Sequence, residues 1–248
     1  TVNSLVTGNP LVVTGGTLTM AAASNLGAVT ISGGTLQVTS TARATSLTES
    51  SGTLSGAGTL TVSGAVNWSS GTMTGGGTLR AEGGLNLSGT LAKSLSGGRI
   101  IEHLGTGGWT GTGQLRLESG GGTVRLVSGI FESVGTQSTT GQGGSLTLDL
   151  QAGATWRKSG GGSTDLFSGN GSLSLNGTID VVNGTLVFAG VGTSTGAATI
   201  AAGSALYLGG GGGTQTFSGS VTGAGNLSTN NGTVLLTGPV SVGSTSAS

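Results

Sequence analysis

The chain has 248 residues, of which 55 are glycine and only eight aromatic; glycine at about three times ordinary usage with so few rings excludes a conventional domain built on a large aromatic core. Eight Lys and Arg balance eight Asp and Glu with no basic run, which leaves no electrostatic footprint for nucleic acid or anionic lipid, and the lack of cysteine excludes disulfides and thiolate metal sites. A hydrophobic content of 34% at zero net charge separates the chain from disordered sequences, and glycine that clusters, with only two prolines, separates it from collagen.

Taken in chain order, the triplet Gly-Thr-Leu or Gly-Thr-Met begins at Gly16, Gly34, Gly52, Gly71 and Gly89, at intervals of 18, 18, 19 and 18. SGTLSGAGTL at 51–60 and SGTMTGGGTL at 70–79 are nearly the same decapeptide. A longer pattern (apolar, Ser/Thr, Gly, any residue, Gly, polar, Leu) starts at Leu54, Met73, Trp109, Phe167 and Val221, with spacings close to whole multiples of the same interval. After the glycines, apolar and polar residues alternate, the period of a strand with one buried face. Pairs such as Leu18/Met20, Leu36/Val38, Leu60/Val62, Leu85/Leu87, Leu115/Leu117, Leu146/Leu148, Leu173/Leu175, Leu206/Leu208 and Val234/Leu236 mark the inward positions. The spans 20–29 and 41–49 are the weak candidates for a turn of helix, without an apolar stripe or caps.

A repeat of 18 to 19, holding two or three short strands and glycine corners, predicts one coil of a β-solenoid, all-β with parallel sheets. Stacked at ~4.8 Å, about thirteen coils give a rod roughly 60 Å long, a single domain over positions 1–248. Its narrow interior accounts for small aliphatics stacked on their own kind, as with Leu18, Leu36 and Leu54.

Chemistry is sparse. There is no G-x-G-x-x-G, and neither Lys93 nor Lys158 follows a glycine as in a P-loop. His103 is the one imidazole, too few for a two-histidine metal site, and reads as a surface residue beside Glu102. No catalytic, cofactor-binding or metal residue is assigned, and no cofactor is expected. The arrangement weighed against this is Asp149, Asp165 and Asp180, at intervals of 16 and 15, which on neighbouring coils would act as acid and base in polysaccharide cleavage. Asp149 alternates with Leu148 and Leu150, however, and the other two lie near loop glycines, so a solvated surface position is the favoured reading. Arg80, Arg99 and Arg116 run beside Glu82, Glu102 and Glu118 and predict surface charges of alternating sign; an acidic-ligand site on the arginines is the lesser reading. Trp109 and Phe167 read as core; Trp68 and Trp156 lie outside that repeat position, where an exposed indole would stack on a sugar. Sequons such as Asn67, Asn86 and Asn183 are expected by chance in so Ser/Thr-rich a chain.

The segments at 68–79, 156–164 and 220–227 resemble the repeats of large bacterial surface-exposed β-strand-repeat proteins, similar to filamentous-haemagglutinin-type exoproteins and autotransporter passengers. The resemblance runs from about Leu11 to Val242 and implies a right-handed parallel β-helix, a place outside the cell or on a bacterial surface, and adhesive or structural work without catalysis. It carries over no binding residue. The partners expected are further coils of a longer chain or copies joined end to end, and surface glycans, with no membrane insertion and no nucleic acid. The start at Thr1 in place of Met is expected of a processed or truncated chain, and strand edges are expected to lie open at Thr1 and Ser248.

Overall fold

The computed structural model describes residues 1–209, 211–230 and 232–247, without the side chains of 167–170 and 230. Ser248 and the Phe167 side chain therefore lie outside the described residues. The chain winds as a three-faced parallel β-solenoid, with no helix among the described residues. The first face opens with the strand Thr17–Met20; the chain turns onto the second face at positions 24–26, onto the third at 29–31, and returns to the first at 35–38. The spans 20–29 and 41–49, weak helix candidates, fall largely in the strands Ser24–Val38 and Thr41–Ser55. Their alternation of small apolar and polar residues has period two, and each backbone bonds to the coils on either side of it.

Coil stacks on coil in register. On the first face Leu18 sits under Leu36, followed by Leu54, Met73, Leu95 and Leu117. All but Leu18 of the first coil are completely buried, each contributing roughly 1.5–3 kcal/mol by leaving water. Eleven such steps lead from Thr17–Met20 to Ser244–Ala247. There are thus about eleven coils and a length of about 50 Å at ~4.8 Å per level. The expected thirteen coils, and the longer rod they implied, are corrected because the coils are not of one size. From Leu11 to Val29 the step is 18, from Met73 to Leu95 it is 22, from Phe131 to Trp156 it is 25, and from Val221 to Val240 it is 19.

The enlargement begins where the triplet ladder fails. Gly71 pairs with Lys93, not with Gly89. The four extra residues form a corner, Leu91 points out of it at 64% exposure, and Leu95 takes the core place. The longer pattern is likewise a corner motif and not the mark of one column. Leu54 and Met73 stack on the first face, whereas Trp109 and Val221 both lie on the third. Glycine is required where these corners bring backbones together. Gly71 holds φ at +99°, and a Cβ there would come within 2.8 Å of the Glu49 carboxylate. At Gly56, with φ at +100°, a Cβ would overlap the carbonyl of Val38 in the coil before.

Candidate functional site

The three aspartates are not brought together. Asp149 stands on the second face, Asp165 on the first and Asp180 on the third. One full turn of the local coil runs from Arg125 to Asp149, so an interval of 15 or 16 is about two-thirds of a turn and moves each carboxylate on by two faces. Each is held by its own neighbours. Asp149 accepts from Arg125 Nε at 2.9 Å and Gln151 Nε2 at 3.3 Å. Asp180 accepts from Arg157 Nε at 2.9 Å and the Thr199 hydroxyl at 3.0 Å, and Asp165 accepts from the Ser163 hydroxyl.

Charges of alternating sign do form a column, with a different membership from that expected. On the second face Arg80, Glu102, Arg125 and Asp149 are register partners in four successive coils. Glu102 takes Arg80 at 2.9 Å and Arg125 at 3.1 Å, Arg125 takes Asp149 at 2.9 Å, and Glu82 takes Arg80 at 3.3 Å. The carboxylates on both sides of Arg125 raise its pKa above the ordinary guanidinium value. Arg116 is exposed on the first face, where Glu118 accepts the Ser94 hydroxyl. Arg99 is not on the surface at all.

Arg99 and His103, both expected outside, point into the tube on either side of Ile101 and are completely buried. Arg99 Nη1 donates to the Gly56 carbonyl at 3.2 Å, two coils earlier, while Nε and Nη2 have no partner. Burial pushes its pKa down to about 10, with Glu49 acting against that. Glu49 is also buried, and neither of its oxygens completes a hydrogen bond of good geometry. Burial raises its pKa well above the usual carboxyl range, against the pull of the Arg99 charge and of the backbone at Thr72 and Leu54. His103 Nδ1 accepts from the Leu85 amide at 3.1 Å and Nε2 donates to the Ile130 carbonyl at 3.2 Å, which fixes a neutral tautomer; burial lowers its pKa. Among the described residues Lys93 donates only to the Leu91 carbonyl, at 3.2 Å, and burial takes its pKa down to about 8. Lys158 closes the next corners on the carbonyls of Gly135, at 3.0 Å, Gly160 and Gly161.

The inward placement of these charges runs against their residue type, yet alternation carries its signal. Each lies two positions from a buried apolar side chain: Glu49 from Leu47, Lys93 from Leu95, Arg99 and His103 from Ile101, Lys158 from Trp156. Their work is local, pinning corners and filling the lumen beside an aromatic run. In that run His103 meets Phe131 edge-on at 5.4 Å, Phe131 meets Trp156 at 5.0 Å, and Trp156 meets Phe188 at 5.8 Å. Trp68, Trp109 and Trp156 are all buried, at 0, 1 and 2% exposure, so the reading of Trp68 or Trp156 as an exposed sugar platform is withdrawn. The cavity between them, about 20 Å³ and walled only by apolar side chains, has room for about one water and nothing to hold it. No cluster of three or more His, Asp or Glu suited to a metal occurs among the described residues. Comparison of the chain with protein-family models, curated proteins and solved structures finds no match.

Proposed function

We propose that the chain is a non-catalytic structural or adhesive rod of a bacterial surface or the extracellular space, working by reach and display. The observation that carries this reading is the unbroken parallel ladder of about eleven coils. It converts sequence into length, and it leaves outward positions free to vary because only the inward ones pack. The groups best suited to chemistry are engaged in holding that ladder: Lys93, Arg99, His103 and Lys158 inside, Arg80, Glu102, Arg125 and Asp149 outside. The resemblance of the repeats to surface-exposed exoproteins supports the location.

End coils favour extension. Val2, Leu5 and Leu11 at one end and Val234, Leu236 and Val242 at the other are only partly buried, and an outermost coil presents unpaired backbone N–H and C=O groups. The coils there are of nearly equal circumference, with a step of 18 from Leu11 to Val29 and steps of 18 to 19 at the other end. Another coil fits on them, from flanking sequence or from a second copy in a head-to-tail contact that does not close. Electron microscopy of the purified chain at increasing concentration tests this. Rods about 50 Å long, set by the ~4.8 Å rise per coil, are expected to lengthen into filaments. Compact round particles would overturn the rod, and short rods at every concentration would overturn self-assembly.

A further inference from the structure

We propose that Arg43 is the anchor of a binding site for a carboxylate-bearing glycan on the second face of the first coils. The first eighty residues contain three charged side chains, Arg43, Glu49 and Arg80. Glu49 is sealed inside and Arg80 is engaged by Glu82 and Glu102. Arg43 is exposed, and among the described residues it meets neither a carboxylate nor a hydrogen-bond partner. Of the other outward arginines, Arg80, Arg125 and Arg157 are each spent on an acidic neighbour, and Arg116 has Glu118 two positions along its own face.

The surroundings of Arg43 are shaped, with hydroxyl and amide groups set among small apolar ones. Two adjoining grooves of about 280 and 320 Å³ meet at its side chain. Asn25, Arg43 and Thr61 are register partners in three successive coils, and Thr41 pairs with Thr59 beside them. Thr45 and Ser63 extend the second groove. A guanidinium fork therefore stands beside neutral hydroxyl and amide groups repeating every ~4.8 Å, with alanine and leucine side chains between them. The fork suits a carboxylate held by two parallel N–H donors, and the hydroxyl rows suit the hydroxyls of flanking sugars. One cation among neutral donors matches a chain with occasional carboxylates; a densely sulfated polymer would ask for several cations. A peptide strand is poorly served, since the coils on both sides already occupy the backbone edges of this sheet.

The site rests on the adhesive reading, and it fails separately from it. Binding of the intact chain is measured to immobilised polygalacturonate with a minority of free acid groups, to the fully methyl-esterified polymer, and to dextran sulfate. Wild type should bind the partly free acid at least tenfold more tightly than the ester. Arg43→Gln should lose that difference while keeping its thermal midpoint, and Arg116→Gln should bind as wild type. Undiminished binding by Arg43→Gln, equal binding of ester and acid, or binding of dextran sulfate alone would overturn the site. The length and joining of rods seen by microscopy do not depend on Arg43, so those results would leave the rod standing.

Discussion

A lysine ammonium inside an apolar tube loses its hydration shell and, at position 93, recovers a single hydrogen bond, to Leu91. Its pKa of about 8 against an ordinary 10.5 sets the direction of a pH effect. The unfolded chain binds this proton up to about pH 10.5 and the folded chain only up to about 8, so burial carries no charge penalty above pH 10.5 and the full penalty below 8. The shift corresponds to about 3 kcal/mol. Lys93→Met, which fills similar volume without the charge, is expected to be about 2 kcal/mol more stable than wild type at pH 7, allowing about 1 kcal/mol for the lost hydrogen bond. It should also abolish the rise in stability between pH 8 and 10.5, as read by denaturant unfolding at several pH values. An unchanged slope in that window would place the ammonium in water. Glu49 works in the opposite sense: its raised pKa means that its contribution fades as pH climbs above 4.5.

At the scale of the coil, what a leucine is worth depends on register and not on motif. Leu91 completes the fifth Gly-Thr-Leu triplet and Leu95 belongs to none, yet Leu95 is completely buried between Met73 and Leu117 while Leu91 is 64% exposed. Leu95→Ala should cost about 2–5 kcal/mol, the usual range for a buried leucine, and Leu91→Ala less than about 0.5 kcal/mol. Thermal melts of the two variants decide it, and equal losses would mean that the triplet keeps phase through the corner. The contrast shows what was legible beforehand. Strand alternation, the glycine corners and the stacking of Leu18, Leu36 and Leu54 are local signals that survive any coil length. Coil number, the faces of Asp149, Asp165 and Asp180, and the partners of Arg80 depend on how much chain each corner holds, and the enlarged corner at Leu91 leaves no apolar period to read. The inward charges were hidden for another reason: a charged residue reads as surface unless strict alternation overrides its type, as Leu47 does for Glu49 and Ile101 for Arg99 and His103.

In the whole molecule the backbone ladder of every coil joins it to the coil before and the coil after, the Arg99–Gly56 bond reaching one coil further, so stability is close to the sum of coil interfaces and is lowest where one interface is missing. The exposure pattern follows this rule. Leu85 and Leu87, with coils on both sides, are 1 and 4% exposed, while every described residue of the strands Val240–Ser241 and Ser244–Ala247 is exposed. Amides of Ser244–Ala247 should therefore exchange through local fraying with almost no protection, and those of Leu85–Leu87 only through opening of many coils, near the limit set by global unfolding. Hydrogen exchange read by mass spectrometry at two protein concentrations examines both this gradient and the joining of rods. If copies stack end to end, protection at Ser244–Ala247 rises with concentration while that at Leu85–Leu87 stays fixed, because only the end coils gain a neighbour. Uniform protection along the chain would mean that the rod opens as one body, and an end strand indifferent to concentration would mean that its edge takes no second copy.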